Sequence, residues 1–137
     1  MIAYRGQSGS AALEFAFMAP LLLYLFFGGL EYGWYMTTQI VLTNAVADGA
    51  RAGVIASESE DEDPALIARE AVRSGFWPFE LDDGDITVEE VDSSASNGVP
   101  RRLEVAVASV DFPVLTGYLP ADWVPRTLSA RSVMVFP

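Results

Sequence analysis

From Ala11 to Leu30 the chain reads AALEFAFMAPLLLYLFFGGL, 20 residues with one charge, Glu14. As an α-helix that run is about 30 Å long, the thickness of a bilayer's hydrocarbon core. Apolar side chains occur all around such a helix, so one buried face cannot satisfy it. Three explanations compete. A cleaved secretory signal would have a shorter apolar core followed by a small-residue cleavage site. This run is longer, and the flank EYGWYMTTQ has no such site. A buried core helix would need more covering surface around Leu21–Phe27 than the rest of the chain offers. A membrane anchor satisfies the run without either difficulty.

Charge separates the chain into two parts. The formal net charge is −11, and 16 of the 19 acidic residues lie in residues 58–137 with six of the eight arginines. An apolar stem therefore carries an acidic, water-facing head. Every basic residue is arginine, and histidine and cysteine are absent. Disulfides, cysteine-ligated zinc, thiol nucleophiles, a Ser-His-Asp triad and a P-loop lysine are excluded on composition. The negative balance also argues against a nucleic-acid partner. No feature calls for a cofactor, and the chain reads as non-enzymatic.

Arg5 precedes the apolar run, whereas Glu31, Asp48 and the acidic stretch from Glu58 to Asp63 follow it. The positive-inside tendency then sets the N-terminus in the cytoplasm and the head outside. Glu31, Tyr32, Trp34 and Tyr35 read as an interfacial aromatic belt. Thr37–Ile55 contains no proline and keeps helical spacing, so one helix is expected over 10–56, with a kink at Pro20. Gly29, Gly33, Thr37, Ala45, Gly49 and Gly53 fall on one i+4 row. Small residues at that spacing allow close helix–helix approach. Either other stems or the chain's own head could cover them.

Glu14 is costly within an apolar segment unless it reaches water or meets a cation. No arginine occurs in the stem before Arg51. Gly9 offers another cation. Cleavage between Gly9 and Ser10 would give Ser10 a free amine and make Glu14 the fifth residue. Glycine, four residues, glutamate and then an unbroken apolar helix is the spacing of a prepilin-peptidase site. An axially shifted neighbouring stem could then place its amine beside Glu14 and set subunit stagger, a heterologous contact of the kind that builds helical filaments.

The run G9-S-A-A-L-E14-F15-A-F-M-A-P20, followed by G28-G-L-E31-Y-G33 and N44-A-V-A-D-G49-A-R51-A-G53, resembles the TadE-like pseudopilins of Tad (Flp, type IVc) pilus systems. The resemblance covers about residues 6–56. It implies processing by a prepilin peptidase at Gly9–Ser10, with Glu14 as the pilin-type acid. It also implies residence in the cytoplasmic membrane of a bacterium or archaeon and a part in pilus assembly, for adhesion or secretion. Partners would be other pilins or pseudopilins, the inner-membrane platform and membrane lipid.

The head reads as α+β. An acidic linker over 57–63 leads to Asp63-Pro64, an N-cap and first helical position for a short helix over 64–74. Phe76, Trp77 and Phe79 read as core. Strands are expected over 86–91, 101–111 and 127–136, with a hairpin loop containing Asn97-Gly98 and a connection over 113–119. The faces are Leu103, Val105 and Val107 on the middle strand and Leu128, Ala130, Ser132 and Met134 on the last. Three strands alone are marginal, so the antiparallel sheet must lie on the short helix or on the stem's outer half. Asp82, Asp83 and Asp85 around Gly84 resemble part of a calcium loop but lack the EF-hand's distal glutamate.

The expected organisation is a leader over 1–9, a transmembrane and extended stem helix over 10–56, the acidic linker, and a head over 64–137. The leading reading is a minor pilin or pseudopilin, with Gly29, Gly33, Gly49 and Gly53 as helix-packing residues. The alternatives are an uncleaved single-pass docking component of the pilus platform, and a membrane-anchored periplasmic module that binds a ligand or calcium.

Overall fold

The computed structural model describes residues 7–59, 61–77, 79–91 and 100–136. The leader up to residue 6, the Arg5 flank, Glu60 and the Asn97-Gly98 hairpin loop lie outside the described residues. The architecture is α+β. A single helix, α1 (Gln7–Ala56), is followed by α2 (Pro64–Gly75) and by strands β1 (Ile86–Val91), β2 (Arg102–Asp111) and β3 (Thr127–Val135). The strands form an antiparallel meander in the order β1-β2-β3. A 3-10 turn, Ala121–Trp123, lies in the connection before β3.

At 1.5 Å per residue α1 is about 75 Å long, more than twice what a bilayer requires. It continues through Pro20. The two halves of this helix have different surroundings. None of its most apolar stretch is buried by the other described residues. Phe15, Phe17, Leu21 and Leu25 are all exposed, Leu25 by 77%. The outer half is the spine of the head, with Leu42, Ala45, Val46 and Ala50 in its core.

Helix α2 starts where Asp63 caps it: the side chain accepts the Ala65 N–H at 2.9 Å, and Pro64 takes the first turn, where no N–H is needed. Its buried face, Ala68 and Val72, lies on α1. The sheet's inner face carries Ile86, Leu103, Val105, Val107 and Leu128, all buried in the same core. It covers mainly the outer half of α1, while β1 also touches α2. Both supports named as alternatives for the sheet are thus used, with the stem as the larger.

On the outer face Glu89 lies opposite Glu104, an unfavourable like-charge pair. Arg131 on β3 approaches Glu104 to 2.7 Å and offsets that repulsion. A register shift between Val107 and Val110 bends β2 just before the chain leaves the sheet for the loop over 112–126.

Candidate functional site in the stem and its collar

Gly9 and Ser10 lie in the opening turns of α1. The Ser10 hydroxyl donates to Glu14 Oε1 at 3.4 Å, an i,i+4 contact along the helix surface. Glu14 is exposed among apolar neighbours that are also exposed. Of the described arginines, Arg51 is far up the helix and pairs with Asp48 at 3.5 Å. Ser10 and Glu14 thus share one face of an uncovered apolar rod.

The small-residue row has two environments. A Cβ at Gly49 would fall 2.3 Å from Val72 Cγ2 and 2.9 Å from the Ala68 carbonyl oxygen. At Gly53 it would fall 2.5 Å from Leu103 Cδ2 and 3.0 Å from the Pro64 carbonyl oxygen. These two glycines let α2 and β2 approach the stem. Gly75 makes the reciprocal approach from α2, where a Cβ would lie 3.1 Å from that of Ala45. Gly29 and Gly33 face open space. The cause is geometric, because at 3.6 residues per turn an i+4 row advances by about 40° per step. The row winds around α1, so its ends do not share a partner.

The residue that sequence reasoning missed is Glu31. It is 1% exposed, although it immediately follows the apolar run. The connection between β2 and β3 folds down against it. Leu115 N–H donates to Oε1 at 2.7 Å, and Thr116 N–H donates to Oε2 at 3.0 Å. The Thr116 hydroxyl also donates to Oε2, at 2.7 Å. Burial acts to raise the carboxyl's pKa, but the Thr116 hydroxyl and the two backbone donors outweigh it and hold it below its ordinary value. Charge-assisted bonds of this kind are the stronger class.

Around this clasp the loop and stem form an aromatic collar. Tyr118 packs at a tilt against Tyr24 and Phe27 with ring centroids 5.4 and 4.8 Å away, and Trp123 lies 6.5 Å from Tyr24. Tyr32 donates its hydroxyl to the Trp123 carbonyl at 3.3 Å. Trp34 donates its indole N–H to the Pro113 carbonyl at 3.0 Å and packs at a tilt against Phe79. Tyr35 meets Phe112 edge-on. The belt expected at Glu31, Tyr32, Trp34 and Tyr35 is therefore turned onto the head. A cleft of about 470 Å³ opens beside Glu31, lined by Phe112, Val114, Leu119 and Val124 with Asp111 and Arg126 at its edge.

The Asp82–Asp85 segment is a turn held by its own backbone and by α2. Asp85 accepts the Asp82 N–H at 3.1 Å, and Asp83 pairs with Arg73. Among the described residues no three acidic side chains converge as a metal site would require.

Residues 9–51 match the family model described as TadE-like protein. No curated protein and no solved structure matches the chain. The family match coincides with the lower stem, the clasp residue Glu31 and the first of the two packed glycines. It points to a pilin-like protein associated with Tad pili, and the long apolar helix to membrane anchoring.

Proposed function

We propose, from this TadE-like stem, that the chain is a membrane-inserted minor pilin or pseudopilin of a Tad pilus. One observation carries the reading: the lower half of α1 is apolar on every side, has none of its most apolar stretch buried by the other described residues, and bears one acid, Glu14, near its start. Such a surface is stable in lipid or among other stems, and not in water. The N-terminus lies in the cytoplasm and the head on the opposite side of the membrane.

Prepilin peptidase cleaves between Gly9 and Ser10. The new Ser10 amine of one subunit then meets Glu14 of a neighbour shifted along the axis. Ser10 and Glu14 differ in height by about 6 Å on one helix, so a shift of that order aligns amine and carboxylate. Pairing neutralises two charges that are each costly in an apolar medium. It thereby selects one stagger while subunits leave the membrane. Gly29 and Gly33, which face outward, give a neighbouring stem a place of close approach. The head, with its own core, is carried along as a folded unit.

Glu14→Ala tests this in cells that assemble the pilus. The variant is expected to insert in the membrane at wild-type levels and to be missing from sheared filaments. Normal entry of Glu14→Ala into filaments would remove the register role. Wild-type protein found full-length in membranes and absent from filaments would assign the chain to the assembly platform instead.

A further inference from the structure

The loop between β2 and β3 comes down beside a part of α1 that belongs to the apolar run. Tyr24 and Phe27, which Tyr118 and Trp123 contact, both precede Leu30. At the helical rise, Tyr24 is roughly 9 Å below the outer end of the run. Any bilayer that covers Ala11–Leu30 must therefore reach the loop. The loop is suited to it. Val114, Leu115, Tyr118 and Trp123 are exposed, Trp123 by 63%, although they have an apolar stem beside them.

We propose that this loop, through its exposed Val114, Leu115, Tyr118 and Trp123, inserts into the outer interfacial layer of the bilayer that the stem crosses, giving the head a second membrane contact. The proposal rests on the membrane-anchor reading of the stem.

Backbone chemistry supports the same occupant. Lipid penalises unpaired N–H groups. Pro113, Pro120 and Pro125 have none. The N–H groups of Leu115 and Thr116 are taken by Glu31, that of Tyr118 by the Thr116 hydroxyl, and that of Trp123 by the Pro120 carbonyl. Glu31 gains in return. Its carboxylate stands at the outer border of the apolar run, and the loop's donors enclose it before lipid can. Tyrosine and tryptophan are also the residues that favour headgroup depth, and interfacial elements sink about 5–10 Å into the headgroup–acyl boundary. That depth matches the position of Tyr24 on the stem.

The chain has no cysteine, so single labels are clean. The full chain is reconstituted in vesicles of phosphatidylcholine and phosphatidylglycerol with an environment-sensitive fluorophore at Val114→Cys. Leu22→Cys serves as the mid-stem control and Glu62→Cys as the aqueous control. Quenching is read with nitroxides placed high or deep on the acyl chain and with a water-soluble quencher. The expected result is that Leu22 is quenched by the deep nitroxide and Val114 by the shallow one, with Glu62 reached only from water. If Leu22 is quenched by lipid while Val114 behaves as Glu62, the loop is in water and the proposal fails although the anchor stands. If Val114 is shielded from both lipid and aqueous quenchers, a protein neighbour covers it and the proposal fails. If lipid quenches neither position, anchor and insertion fall together. A Tyr118→Ser variant labelled at Val114 should shift toward the aqueous pattern while its Leu22 counterpart is unchanged, and no shift would overturn the loop's anchoring role.

Discussion

Glu31 ties the stem to a loop 84 residues later in the chain. Three donors from Leu115 and Thr116 converge on one carboxylate. A glutamine there keeps the shape but places an NH2 group against N–H donors. Glu31→Gln should therefore cost about 2 kcal/mol, the scale of hydrogen bonds to a charged group, read as a lower midpoint in thermal unfolding of the detergent-solubilised full chain. The sign of the pH effect follows from the lowered pKa. The folded state prefers the ionised carboxyl, so its contribution is fully present above the ordinary value of 4.5 and is lost as pH falls through the folded value below it. The wild type should lose stability over that acid range more steeply than Glu31→Gln. Equal slopes would show that the clasp does not depend on charge. None of this was legible in the sequence. A carboxylate that accepts backbone N–H groups 84 and 85 residues away leaves no pattern of paired residue types. The only trace was an acid placed directly after an apolar run.

At the scale of elements, periodicity and punctuation revealed most of the fold. Asp63-Pro64 marked the start of α2, and alternating residues marked the inner faces of β2 and β3. The small-residue row showed that something approaches α1 closely, but a glycine does not identify its neighbour. Gly49 and Gly53 meet α2 and β2, whereas a Cβ at Gly29 or Gly33 would meet none of the described residues. The two pairs should respond oppositely to alanine. Gly49→Ala should lower head stability by about 1–3 kcal/mol, because the clash with the Ala68 carbonyl is with backbone. Gly29→Ala should leave the fold unchanged or add up to about 1 kcal/mol through helix propensity. Thermal unfolding of both variants checks this. A filament-entry assay of Gly29→Ala reads its second role, for which reduced incorporation without loss of stability is the expected outcome. The partners of the aromatic residues after Leu30 were hidden for a related reason. Sequence position placed those aromatics at a membrane border, but their partners Phe79, Pro113 and Phe112 come from distant segments.

The whole molecule is one long helix used twice. Its outer half organises a small α+β core that three strands could not sustain alone, and its lower half offers only apolar surface and Glu14. The Glu31 clasp and the aromatic collar fix the head at the junction of these halves, so the head cannot swing freely on its linker. In this account, cleavage after Gly9 creates the amine that makes Glu14 useful and turns an anchor into a subunit with a defined stagger. Mass spectrometry of the N-terminal peptide, on protein recovered from pilus-producing cells, tests that step most directly. The peptide should begin at Ser10. A peptide that retains Gly9 and the residues before it, in protein taken from assembled filaments, would contradict the account.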